Sequence, residues 1–165
     1  MRLVECVPNF SEGRDRSIID AIAAEPARVD GVQVLDVDAG ADTNRTVLTF
    51  VGPPEAVLEA AFRVIKKAAE LIDMRHQHGA HARHGATDVC PFVPVSGVSV
   101  ADCVALATAL GERVGAELGI PVYLYEHAAR RPERRDLAFV RKGEYEALPA
   151  KLGDPKWQPD FGPAV

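Results

Sequence analysis

Four of the five histidines in this chain, His76, His78, His81 and His84, fall between Asp73 and Cys90, with Arg75 and Arg83 among them. Imidazole titrates near ~6.5, closer to neutrality than any other unperturbed side chain. The stretch therefore concentrates proton-transfer capacity and positive charge on a chain whose net charge is -5. Gly79 and Gly85 interrupt any helix through it, so it reads as a loop. Three kinds of chemistry fit these residues. The spacing His76-x-His78-x-x-His81-x-x-His84, with Asp73 and Asp88 as carboxylate ligands, could hold a metal, although it matches no zinc motif. One histidine could instead shuttle protons while Arg75 or Arg83 holds an anionic substrate. The bland alternative is a set of solvated loop residues, and for any single histidine that is the default.

Two further polar clusters stand at strand ends: Asn9 in one, and Asp36, Asp38, Asn44 and Arg45 in the other. Sheet topology can bring such loops to one rim, where they would line a cleft with the histidine loop. Asn and Asp are equally at home in turns, bonding to their own backbone, and Asp38-Ala-Gly40 could be a turn alone. Ser11 lacks a nucleophile-elbow setting. Cys90, before Pro91 in an expected strand, reads as buried rather than reactive. Arg130, Arg131, Arg134 and Arg135 read as a solvated face.

The elements that must carry these residues follow from periodicity and punctuation. Leu3 to Pro8 reads as a strand ended by Pro8, and Asn9 to Gly13 as the loop after it. Ile18, Ile19, Ile22 and Ala23 recur at helical spacing behind Asp15 as N-cap, and Pro26 and Gly31 close that helix. Val32 to Val37 and Thr46 to Val51 read as an antiparallel strand pair. Pro53 and Pro54 open an amphipathic helix that runs to Ile72. Val89 to Val95 reads as a strand, demoted by Pro91 and Pro94 to an edge or a bulge. Ser99 and Asp102 form a capping box for a helix that stops at Gly119. Pro121 to Tyr125 reads as a fifth strand and Gly143 to Leu152 as a short helix. The order predicts an α/β (α+β) fold: a mixed, mostly antiparallel sheet of five or six strands, helices on one face, ferredoxin-like in its first six elements. No Gly-rich phosphate fingerprint follows the first strand.

At 165 residues, 47% apolar and 26% charged, the chain is sized for one domain with a substantial core. Its acidity argues against general nucleic-acid binding. No apolar run has membrane-spanning length, no signal peptide is expected, and three cysteines without framework spacing suit a reducing compartment. The expectation is a cytoplasmic protein with neither nucleic-acid nor membrane partners.

Several ordered stretches resemble the formiminotransferase family: Val4-Glu-Cys-Val-Pro-Asn9-Phe-Ser-Glu-Gly13, Leu35-Asp-Val-Asp38-Ala-Gly40, Thr43-Asn-Arg-Thr46, Ile72-Asp-Met-Arg75, Gly79-Ala-His81-Ala-Arg83 and Asp88-Val-Cys-Pro-Phe92. Pro121 to Tyr125, Gly143 to Pro149 and Trp157 to Pro163 are similar to it as well. The resemblance implies glutamate formimidoyltransferase activity, passing a formimidoyl group between N-formimidoylglutamate and N5 of tetrahydrofolate in histidine breakdown. The family's catalytic histidine falls on His81, and Asp38 is the candidate carboxylate beside it. Asn9, Asn44, Arg45, Arg75, Arg83, Gly162 and Pro163 are the implied substrate-binding residues, tetrahydrofolate is the co-substrate, and no metal is expected. The resemblance covers the N-terminal subdomain only, residues 1 to 165; the family's C-terminal subdomain is absent. It thus leaves room for a folate-binding or assembly module that needs a second subdomain or partner chain, or for self-association into a homodimer.

Overall fold

The computed structural model describes residues 1–74, 86–140 and 158–162. The expected helix over Gly143 to Leu152 lies outside the described residues, and so does the stretch from Arg75 to Gly85.

Strand β1 (Leu3–Cys6) and strand β2 (Asn9–Phe10) run as one line along β4 (Arg45–Gly52). Cys6 faces Phe50 and Asn9 faces Val47, so the register is unbroken across Pro8. Pro8 has no N–H to give, but its carbonyl stays in the ladder and accepts from the Leu48 N–H at 3.0 Å. Asn9, expected in a loop, is therefore a strand residue. On the outer side of β4 lies β3 (Gln33–Gly40), and beyond β1 and β2 lie β6 (Phe92–Ser96) and β5 (Thr87–Val89). The spatial sequence is β3, β4, β1/β2, β5/β6, and every pairing among the described strands is antiparallel. With each broken strand counted as one, this is the ferredoxin-like order.

The period-two alternation fixes which face is buried. Val4, Cys6, Leu48 and Phe50 are fully buried under the helices, while their neighbours Glu5, Val47, Thr49 and Val51 are only half-buried on the opposite face. Helix α1 (Arg16–Ala27) starts at Asp15, whose carboxylate accepts from the Ser17 and Ile18 N–H groups. It runs one residue past Pro26 and ends at Arg28 as C-cap. Helix α2 (Pro54–Leu71) opens on proline and buries Val57, Ala61, Val64, Ile65 and Ala68. Helix α3 (Val100–Leu118) carries the Ser99–Asp102 capping box and stops at Gly119 with φ 65°. Burying each large side chain in this layer, such as Leu48, Phe50 or Ile22, contributes roughly 1.5–3 kcal/mol. Helices α2 and α3 are tied by Arg113, which pairs with Glu59 and lies 3.7 Å above the Phe62 ring.

Three further expectations change. The strand expected over Val89 to Val95 is split at Cys90-Pro91 into β5 and β6, at the sheet edge as the prolines required. Among the described residues Pro121 to Tyr125 joins no sheet: Val122 bridges to Phe161, and the Leu124 N–H donates to Asp160 Oδ2 at 2.7 Å. The partner of this apolar segment is the chain's own tail rather than a sheet edge. Arg134, expected on a solvated face, is buried and ion-paired with Asp160 at 3.2 Å. Its guanidinium also donates to the Gln158 carbonyl and lies 4.8 Å from the Tyr123 ring.

Candidate functional site

The segment Asn9 to Gly13 is held from three directions. Asn9 and Phe10 pair with β4 and β5. Beyond them the Ser11 N–H donates to the Ala86 carbonyl at 2.8 Å. Thr46 Oγ1 donates to the Glu12 carbonyl at 2.6 Å, and the Gly13 N–H donates to Asn44 Oδ1 at 2.8 Å. Glu12 Oε2 accepts from the Arg14 and Asp15 N–H groups, both at 3.0 Å, joining this segment to the start of α1. Gly13 has no alternative residue. A Cβ there would stand 2.2 Å from the Gly40 carbonyl oxygen and 2.6 Å from the Arg45 nitrogen.

The turn between β3 and β4 is built to receive that segment. Thr43 Oγ1 donates to the Gly40 carbonyl at 3.2 Å, and Arg14 Nε donates to the Ala41 carbonyl at 2.9 Å. Asn44 takes the left-handed conformation, φ 50°, which Asn tolerates better than most residues. Three strand-end segments thus meet at one rim: residues 9 to 13, residues 40 to 45, and Ala86, the first described residue after the histidine-bearing stretch.

Register places the expected site residues. Asp38 faces Val47 on β4, and Val47 faces Asn9 on β2, which faces Val89 on β5. Asp38, Val47, Asn9 and Val89 therefore form one row on the face away from the helices. At about 4.8 Å per strand, Asp38 and Asn9 are separated by about 10 Å. Asp38 is exposed; Asn9 is buried, its Nδ2 donating to the Val7 carbonyl at 2.9 Å. Arg45 is half-buried and opposes Gly40, one step along the same face toward the rim. Asn44 is buried, with its amide oxygen engaged by Gly13.

Gly162 is elsewhere. It lies on the helical layer, where a Cβ would stand 2.2 Å from the Ile120 carbonyl oxygen, and the Gly115 position leaves room for its backbone. The described residues do not bring it to the row of Asp38 and Asn9. His81, Arg75, Arg83 and Pro163 lie outside the described residues, as do His76, His78 and His84. The metal reading rests on those histidines; among the described residues no group of three or more His, Cys, Asp and Glu side chains could hold a metal ion. No helix among them is long and apolar enough to cross a membrane.

A cavity of about 810 Å³ opens on the helix side between α3, the β5–β6 break and residues 120 to 128. Its walls are mostly apolar, and Met74 and Ala86, on either side of the histidine-bearing stretch, both contribute to it. Thr87 Oγ1, also in its wall, is buried with no hydrogen-bond partner among the described residues. Sequence reasoning missed Glu12, Gly13 and Thr46 as the residues that shape the rim. Gly13 and Thr46 act through partners distant in sequence, and only Glu12, which accepts from the Arg14 and Asp15 N–H groups, acts within its own neighbourhood.

Comparison with known proteins finds matches along nearly the whole chain. Residues 3–165 match the model of the formiminotransferase domain, N-terminal subdomain. The chain is 53% identical over 167 residues to glutamate formimidoyltransferase of Thermoplasma acidophilum, covering 100% of this chain and 55% of that protein. To the Streptococcus pyogenes serotype M1 protein of the same name it is 48% identical over 161 residues, covering 98% and 54%. To formimidoyltransferase-cyclodeaminase of Rattus norvegicus it is 56% identical over 163 residues, covering 99% of this chain and 30% of that protein. The chain thus spans about half the length of the first two relatives and less than a third of the last. It belongs to the formiminotransferase family and matches that family's N-terminal subdomain.

Proposed function

We propose that this chain carries the catalytic half of a glutamate formimidoyltransferase, moving a formimidoyl group from N-formimidoyl-L-glutamate to N5 of tetrahydrofolate, with His81 as general acid and base. The observation that carries the reading is the match of residues 3–165 to the family, with His81 standing in Gly79-Ala-His81-Ala-Arg83. In this reading N5 attacks the amidine carbon while His81 takes the N5 proton. The tetrahedral adduct then collapses as the same imidazolium returns a proton to the departing glutamate nitrogen. A near-neutral imidazole suits both halves. Asp38 stabilises the cationic amidine, and its exposed position in one row with Asn9 supports that role. Arg75, Arg83 and Arg45 meet the carboxylates that both substrates carry, Asn9 and Asn44 shape the rim, and Gly162 and Pro163 contact folate. Tetrahydrofolate is a co-substrate, and the chemistry calls for no metal.

Transfer rates of the His81→Ala and His76→Ala variants test the assignment. His81→Ala is expected to lose about a hundredfold or more, and His76→Ala to stay within a few-fold of the parent. The reverse pattern would move the role to His76.

A second reading is favoured by one observation, that the chain spans 54–55% of the glutamate formimidoyltransferases it matches. In it this subdomain binds folate and assembles with a second subdomain or another copy, and is inert without it. Folate binding with no transfer by the chain alone, and transfer on adding the other half, would select this reading.

A further inference from the structure

Cys6 and Cys90 are 84 positions apart in sequence, yet their Sγ atoms stand 3.6 Å from each other. The sheet register explains the meeting. Cys6 faces Phe92 and Asn9 faces Val89, so Cys90 falls beside Pro8, diagonal to Cys6 on the helix side of the sheet. Side chains at diagonal positions across an antiparallel pair are within reach of one another. Cys90 belongs to neither β5 nor β6. It sits at the break before Pro91, where backbone pairing constrains it less than a mid-strand residue. Cys6 is fully buried, whereas Cys90 is half-buried and lines the cavity, so a reagent entering there meets Cys90 first.

We propose that Cys6 and Cys90 form a thiol–disulfide modification site whose oxidant is a low-molecular-weight disulfide. The Cys90 thiolate attacks one sulfur of the small disulfide, forming a mixed disulfide and releasing one small thiolate. Cys6 then gives up its proton and attacks Cys90 Sγ, forming the Cys6–Cys90 bond and expelling the second small thiolate. Two protein thiols are oxidised, one small disulfide is reduced to two small thiols, and both protons leave with them. Burial pushes the Cys6 thiol well up, with its contact to Cys90 adding to that. Cys6 is thus suited to resolve the mixed disulfide slowly rather than to start the reaction. Bond formation requires the sulfurs to close from 3.6 Å to about 2.05 Å, and the Cys90-Pro91 break is the place that can give. The product staples a central strand to the edge beside Val89, which faces Asn9 across the β2–β5 pair.

The test is incubation of the reduced, folded 165-residue chain with oxidised glutathione, read by intact mass and by non-reducing peptide mapping. Cleavage before Asp102 puts Cys90 and Cys103 on separate peptides. The expected product is lighter by about 2 Da, the two hydrogens lost. It links the Cys6 peptide to the Cys90 peptide and returns to the starting mass with dithiothreitol. Cys103→Ser should behave like the parent, and Cys6→Ala should stop at a stable glutathione adduct on Cys90. A lasting adduct on the parent chain, a bond through Cys103, or unchanged mass where the urea-unfolded chain oxidises would each overturn the proposal. The parent-chain map decides the matter even if Cys6→Ala does not fold.

Discussion

Asn44 does at one position what two residues would otherwise have to do. Its backbone takes φ 50° at the β3–β4 turn while its side-chain oxygen receives the buried Gly13 N–H. Asn44→Ala would leave that N–H unpaired and put alanine in a left-handed conformation. The two penalties together predict a loss of about 2–4 kcal/mol in urea unfolding. Asn44→Gly restores the backbone freedom but not the acceptor, so it should lose less, about 1–2 kcal/mol. Equal losses in the two variants would show that the hydrogen bond carries the whole effect. Only the turn role was legible beforehand. The sequence marked Asn44 as a turn former or a substrate contact, but the identity of its partner depends on a segment 31 positions earlier.

At the scale of elements, the local signals survived best. Asp15, the Ser99–Asp102 box, Pro54 at the start of α2 and Gly119 after α3 all act where the sequence placed them, because caps are decided within four residues. Ser99→Ala should lower stability by about 1 kcal/mol in the same urea assay. Failures came where pairing is non-local. Pro8 punctuates the sequence as a strand end, yet the strand continues because one missing donor leaves the rest of the ladder intact. Pro121 to Tyr125 has strand composition, but its partner at Phe161 comes after a long intervening segment. The α2–α3 contact supplies a pH test. The Arg113 hydrogen bond holds the Glu59 carboxyl below its usual value. A depressed carboxylate stabilises the fold above its unfolded pKa, near ~4.3, and that contribution is lost as pH falls through the folded value. Glu59→Gln should therefore be less stable than the parent at pH 7 by up to about 1 kcal/mol, since the pair is partly exposed. The gap should close on titrating below about pH 4. A gap that does not narrow as the pH is lowered through the acid range would assign it to packing instead.

Over the whole molecule, the sheet order was recoverable from the sequence because the order of strand and helix patterns leaves few topologies open. The meeting of three strand-end segments at one rim was expected in outline, and Ser11, Gly13 and Ala86 supply the contacts. The tail was not foreseen. Residues 158–162 are pinned by Asp160, which accepts from the Leu124 N–H and pairs with buried Arg134, and by Phe161 against Val122. Asp160→Asn removes the charge opposite a buried guanidinium, a change of about 3–5 kcal/mol where the pair cannot open. Because these contacts join the tail to residues 122 to 134 alone, the predicted effect is faster hydrogen exchange at Val122, Leu124 and Phe161 with the β1 and β4 amides unchanged. Uniform acceleration throughout the chain would show that the tail is part of the global fold.

Whether this subdomain carries formimidoyl-transfer chemistry by itself is decided by a single-turnover reaction. The purified 165-residue chain, in excess, is mixed with tetrahydrofolate and N-formimidoyl-L-glutamate, and 5-formimidoyl-tetrahydrofolate is followed. The expected result is product with release of glutamate, and none above the uncatalysed rate from His81→Ala. Equal product from both proteins, or none from a parent chain that binds both substrates, would contradict it.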